Sequence, residues 1–167
     1  MQATNTNFEQ YNLSHHNFIE AYKMINEYVA ELYRLPKKLV EDAGEALDNF
    51  CSEEDKPETS LKVQKSCTVV IDFMDQLDEF TVHTIHLFND HKKHVDATRS
   101  YIRKVSALKS KYPTGCSSHE WEEYKKLTPE LNNLLNGLKL IKSKADDMIV
   151  RLEKLELRWE NIKVKMN

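Results

Sequence analysis

Residues 127–166 read LTPELNNLLNGLKLIKSKADDMIVRLEKLELRWENIKVKM. Within them Leu127, Leu131, Leu134, Leu138, Ile141, Ala145, Met148, Leu152, Leu155, Trp159, Ile162 and Met166 recur in alternating steps of four and three without a miss. Steps of three and four line one stripe of an α-helix, whereas a strand would alternate every second residue. An apolar stripe held to a seven-residue period drifts against 3.6 residues per turn, so it implies helices supercoiled left-handedly around one another. Thr128 before Pro129 predicts an N-cap and a first-turn proline. Ser117 with Glu120 three residues on fits a capping box, so a short lead-in helix from Ser118 to about Leu127 precedes the long one.

The same rhythm extends upstream. Val63, Cys67, Val70, Met74, Leu77, Thr81, Thr84, Phe88, His91, Val95, Thr98, Ile102 and Val105 form a second seam. A parallel row adds Phe73, Phe80, Leu87, His94, Tyr101 and Leu108, widening the buried face as a helix touching two neighbours requires. In the first segment Phe8, Tyr11, His15, Phe18, Tyr22, Ile25, Val29 and Leu32 set the seam, which continues through Pro36, Leu39, Ala43, Ala46 and Phe50. Proline removes a helix hydrogen bond and clashes with the preceding turn, which predicts a kink or break at Pro36. The seam stays in phase across it, favouring a kink or a very short interruption.

Turn chemistry falls in two places: residues 52–60, polar throughout with Pro57, and residues 112–118, with Pro113 and Gly115. They delimit helical segments of about 8–51, 61–111 and 118–167. Short turns make neighbours antiparallel, and some 45–50 residues at 1.5 Å rise give a rod roughly 70 Å long. The expected fold is all-α: an elongated antiparallel three-helix bundle with heptad seams, forming one domain over 1–167. Folding about the two turns sets Trp159 opposite Val70 or Met74 and the small residues Ala43, Gly44 and Ala46.

Composition agrees. The 167 residues include only 3 glycines and 4 prolines, against roughly 12 and 8 from average usage. So few turn residues exclude sandwiches, barrels and doubly wound sheets. No apolar run approaches a membrane span, and the N-terminus has no charged-then-apolar leader. Cys51, Cys67 and Cys116 are odd in number and show no ligand-like spacing, which predicts reduced thiols in a cytoplasmic protein. Cys67 falls on the apolar seam.

His83, His86, His91 and His94 crowd one stretch of the second segment, with Asp90 and Asp96 nearby. Metal sites in helical bundles draw carboxylates and Glu-x-x-His pairs from several helices. No Glu-x-x-His pair occurs here, so no metal and no cofactor is expected. His91 instead reads as a polar layer that fixes register, with Thr81, Thr84 and Thr98 in similar roles and Trp159 as the bulky counterpart. His15 at the other end of the first segment reads alike. A phosphate loop, a nucleophile elbow and a paired-cysteine motif are all missing, which argues against an enzyme and names no catalytic residue.

Charge is uneven. Residues 37–60 carry eight acids and three lysines, whereas residues 92–126 carry nine bases and four acids. The overall charge of −3 gives no reason to expect nucleic acid as a partner. Basic side chains including Lys92, Lys93, Arg99, Arg103 and Lys104 form a candidate surface for an acidic partner, a phospholipid surface or the acidic end of a second copy. Val69, Ile71, Val82 and Ile85 lie off the main seam; Ile71 and Ile85, two heptads apart, share a face and mark a candidate partner surface.

The stretch Leu152-Glu-Lys-Leu155-Glu-Leu-Arg158-Trp159-Glu-Asn-Ile162 resembles the closing helix of a spectrin repeat, in which a Leu-x-x-Leu pattern leads into Arg-Trp and another aliphatic residue. The resemblance covers this stretch alone; the first segment offers Phe18 and Tyr22 where that family buries a tryptophan, and the chain is longer than such a repeat. It implies a spacer or docking module of a cytoskeletal or scaffold protein. Three long helices with a proline kink are also similar to membrane-curving BAR domains, which would imply a dimer on anionic lipid, although such a surface needs a larger basic excess. The function expected is thus a non-catalytic helical protein–protein interaction or scaffold module whose partners are other, helical proteins, with a homodimer open as an alternative.

Overall fold

Long stretches without glycine or proline dictate the elements. The structure, a computed structural model, describes the backbone of residues 2–53, 60–113 and 117–166, and the side chains of 6–49, 61, 64–113 and 117–165. Its helices are α1 (Gln2–Leu32), α2 (Lys37–Glu53), α3 (Ser60–Lys111), α4 (Ser118–Lys125) and α5 (Thr128–Met166). Among the described residues there is no strand, and the chain is all-α. Residues 54–59 with Pro57, residues 114–116 with Gly115, and the side chains of Phe50, Cys51, Val63 and Cys116 lie outside the described residues.

Pro36 breaks the first segment rather than kinking it. Residues 33–36 form a turn, with Tyr33 N–H donating to Ala30 O at 3.3 Å and Arg34 N–H to Glu31 O at 3.0 Å. Such three-residue closures tighten a last helical turn and satisfy otherwise orphaned carbonyls. The proline ring disfavours helical backbone at Leu35, and the helix resumes where Val40 N–H donates to Pro36 O at 3.0 Å. α1 also starts earlier than the expected residue 8, because residues 2–7 contain no helix breaker.

The other ends follow their local chemistry. α3 stops before Pro113, with Lys109 and Lys111 in its last turn where the helix dipole favours cations. Ser117 caps α4 by accepting from Glu120 N–H at 3.1 Å, as its spacing predicts. Pro129 sits in the first turn of α5, where a missing N–H costs nothing.

The chain divides into two compact units: Met1–Val29 with Phe88–Ser143, and Ala30–Leu87 with Lys144–Asn167. In the first, α1 supplies Phe8, Tyr11, Phe18 and Ile25, α3 supplies His94, Thr98, Tyr101 and Val105, and α5 supplies Leu131, Leu134, Leu138 and Ile141, all buried. Contacts of α1 with α3 run from Tyr11 with Tyr101, through Phe18 with His94, to Asn26 with His91, so the numbers rise on one helix as they fall on the other. Tyr124 of α4 is fully buried and donates from its hydroxyl to Tyr112 O at 2.8 Å, satisfying a carbonyl just past the end of α3.

In the second unit Leu39 and Ala43 of α2, Val70, Phe73, Leu77, Phe80 and Leu87 of α3, and Ala145, Met148, Leu152, Trp159 and Ile162 of α5 are buried. Burying each large apolar side chain contributes about 1.5–3 kcal/mol, before the loss of chain entropy is set against it. The row Phe73, Phe80, Leu87, His94 and Tyr101 is buried throughout, whereas Met74, His91 and Val95 are half-buried and Thr81 is exposed. Leu108 at the end of that row is half-buried, and Val70, Leu77, Thr84, Thr98 and Val105 of the first seam are buried too, so both rows reach the core.

Candidate functional site

The polar side chains of the first unit form a connected layer. Tyr11 Oη lies 2.7 Å from Tyr101 Oη, and His15 Nδ1 lies 2.9 Å from the same Tyr101 oxygen. Burial pushes both phenols upward in pKa and holds the His15 imidazole below its ordinary range. All three groups are therefore neutral near pH 7. Three uncharged groups thus share one hydrogen-bonded chain, with the Tyr101 hydroxyl at its joint.

Two further histidines complete the layer. His91 Nε2 donates to Asn26 Oδ1 at 2.7 Å, and burial, then the neighbouring His94, lowers its pKa. His94 is buried, and its Nε2 donates to the Leu134 carbonyl at 2.8 Å. A carbonyl can only accept, so Nε2 carries the hydrogen and Nδ1 faces the Thr98 hydroxyl at 3.5 Å. The imidazole that sits deepest is therefore His94, while His91 bridges α1 and α3 from the margin. His83 is half-buried and His86 exposed. Among the described residues, no group of three or more His, Cys, Asp or Glu side chains is placed to hold a metal ion.

The expected threonine layer behaves differently. Thr81 and Thr84 donate to Leu77 O and Phe80 O of their own helix, each at 2.9 Å. The Thr84 hydroxyl also reaches Met148 Sδ of α5 at 4.0 Å. In the second unit, Trp159 stacks on Phe73 with ring centroids 5.1 Å apart at 24°. The height along α3 is the one expected, and the ring that stacks there is Phe73 of the second row. The indole also lines a groove with Leu35, Lys38, Leu39 and Asp42.

On the surface, Ile71 is 46% exposed and Val82 and Ile85 are each 51% exposed. The spacing 71, 78, 82, 85 places them with Asp75 and Asp78 on one outward face of α3. Val69, exposed as well, lies about 200° around the helix from Ile71. Lys92, Lys93, Arg99, Arg103 and Lys104 are all exposed in the first unit. Lys104 is engaged within the fold, its Nζ 3.1 Å from Glu130 Oε2.

Sequence reasoning missed a third surface. Val150, Leu157 and Val164 of α5 are exposed at successive seven-residue steps. Glu153, Glu156, Leu157, Glu160 and Lys163 line the groove against α2, of about 540 Å³. Arg151, Lys154, Leu155 and Arg158 line another against Gln76, Glu79, Phe80 and His83 of α3, of about 350 Å³. The signal was legible as a second heptad row on the same helix, outside its core seam. No helix among the described residues is long and apolar enough to cross a membrane. Compared with family models, with curated proteins and with solved structures, the chain finds no match in any of the three.

Proposed function

We propose that this chain is a non-catalytic helical protein–protein interaction module, an antiparallel three-helix bundle with heptad seams that docks a helix of another protein on the outer face of α3. The observation that carries it is the exposed set Ile71, Val82 and Ile85 on one face, with Asp75 and Asp78 between Ile71 and Val82. Aliphatic side chains left in water on a rigid helix gain by burial, and the carboxylates among them select the partner's charge. The partner is an amphipathic helix with an aliphatic stripe rimmed by lysine or arginine. The spectrin-like stretch Leu152–Ile162 supports a scaffold or spacer role of the same kind.

The test is binding of a labelled amphipathic helical peptide with leucines at i, i+3 and i+7 and a lysine rim, beside its glutamate-rimmed counterpart. The lysine-rimmed peptide should bind, and Ile71→Glu with Ile85→Glu should remove the binding while circular dichroism stays unchanged. Equal binding of both peptides, or binding indifferent to the double substitution, overturns the assignment. Cosedimentation with phosphatidylserine vesicles in place of peptide binding would move the function to a membrane surface.

A further inference from the structure

α5 carries three rows at seven-residue spacing, and only two are used by the core. Ala145, Leu152 and Trp159 are buried, as are Ile141, Met148 and Ile162. The third row, Val150, Leu157 and Val164, is 47%, 64% and 74% exposed. Solvent-facing positions of a helix this rich in charge have no need of aliphatic side chains, least of all at the seven-residue spacing that pairs helices side by side. The row lies on α5, apart from the α3 face discussed above, and the two surfaces can be tested independently.

The flanks of this row identify what covers it. Glu153, Glu156 and Glu160, with Lys163 at the end, stand on one side and line the groove against α2. Arg151, Lys154 and Arg158 stand on the other and line the groove against α3. Arg151 is engaged by Asp147 at 3.2 Å and Glu160 by Lys163 at 2.8 Å. Glu153, Glu156, Lys154 and Arg158 make no ion pair with any described residue. An aliphatic line with an acidic bank and a basic bank is complementary to itself in one orientation. When two such helices lie parallel about a twofold axis, the acidic bank of each faces the basic bank of the other. Laid antiparallel, acid faces acid and base faces base, which is unfavourable.

We propose that Val150, Leu157 and Val164 form the seam of a parallel homodimer, the α5 helix of a second copy covering this row with Glu153, Glu156 and Glu160 opposite the partner's basic bank. The row spans two heptads, about 21 Å of helix, and buries few side chains. Association is accordingly weak, with a dissociation constant on the order of 10⁻⁵ M, and it weakens further as salt screens the banks.

Light scattering and sedimentation equilibrium on the full chain test this. The mass should climb from 19.6 kDa toward twice that value as concentration rises. Leu157→Glu should hold it at the monomer value with helicity retained. Orientation is read by oxidative cross-linking, scored against the unsubstituted chain because Cys51, Cys67 and Cys116 are present. In a parallel pair Val164→Cys cross-links to itself, since facing positions come within disulfide reach. In an antiparallel pair it links only when mixed with Val150→Cys. A monomer at every concentration, a dimer that survives Leu157→Glu, or cross-linking confined to the mixed variants overturns the proposal.

Discussion

A methyl carbon placed on Gly137 would lie 3.0 Å from Cδ2 of His94 and 3.6 Å from its Nε2. Gly137 sits inside α5, where glycine costs roughly 0.5–1 kcal/mol relative to alanine. Its place is explained by the imidazole that fills the space and donates to the Leu134 carbonyl at 2.8 Å. Gly137→Ala should therefore destabilise, by about 1 kcal/mol, because displacing a buried donor from its acceptor outweighs the gain in helix propensity. In a His94→Ala background the same substitution should stabilise by a similar amount. Denaturant unfolding of the four proteins measures the sign reversal, and two equal signs would refute the coupling.

Tyr101 is the joint of the polar layer, since its hydroxyl meets both Tyr11 and His15. Tyr101→Phe leaves a buried phenol and a half-buried imidazole without this partner, and should cost about 1–3 kcal/mol. Tyr124→Phe removes a single bond to a part-exposed carbonyl, Tyr112 O, and should cost less, about 0.5–1.5 kcal/mol. Thermal unfolding should rank them in that order.

His15 and His91 both have pKa values below the ordinary 6.5, burial being the first cause for each. In the unfolded chain they protonate near their ordinary value, whereas in the folded chain they stay neutral to lower pH. Through that window the unfolded state binds more protons, so stability is complete above about pH 6.5 and falls as pH drops below it. Denaturation midpoints of the unaltered chain should decline across this window. A His15→Gln, His91→Gln double variant should decline less, and an equal slope in both proteins would assign the loss to other groups.

The helices were legible because each obeys local rules: long unbroken stripes, Ser117 as a cap and Pro36 as a stop. His91 and Trp159 fall on the seam, the first half-buried and the second buried. Their partners were not legible, since period places a residue on a face but cannot say which neighbour's rotamer meets it. The ring that stacks on Trp159 is Phe73, and His94 rather than His91 sits deepest. Thr81 bonds its own helix, and Thr84 does so while also reaching Met148 Sδ of α5 at 4.0 Å. A hydroxyl that bonds its own helix looks, in sequence, identical to one that reaches across. Of the surfaces, exposed Ile71 and Ile85 followed from their distance off the seam. The α5 row lies on the face opposite its core seam, where period alone does not say whether a neighbouring helix covers it.

Trp159 is buried against Phe73, and its Nε1 is buried with no hydrogen-bond partner among the described residues. The indole thus contributes through volume and stacking, and its N–H adds a desolvation cost with no bond in return. Trp159→Ala should cost about 3–5 kcal/mol, the usual penalty for emptying an aromatic site. Trp159→Phe keeps most of the ring contact and removes the unsatisfied donor, so it should cost well under half as much. If the N–H were bonded in solution, the phenylalanine variant would instead approach the alanine one. Equilibrium unfolding followed by circular dichroism separates the two cases, because it does not depend on the fluorescence of the residue being replaced.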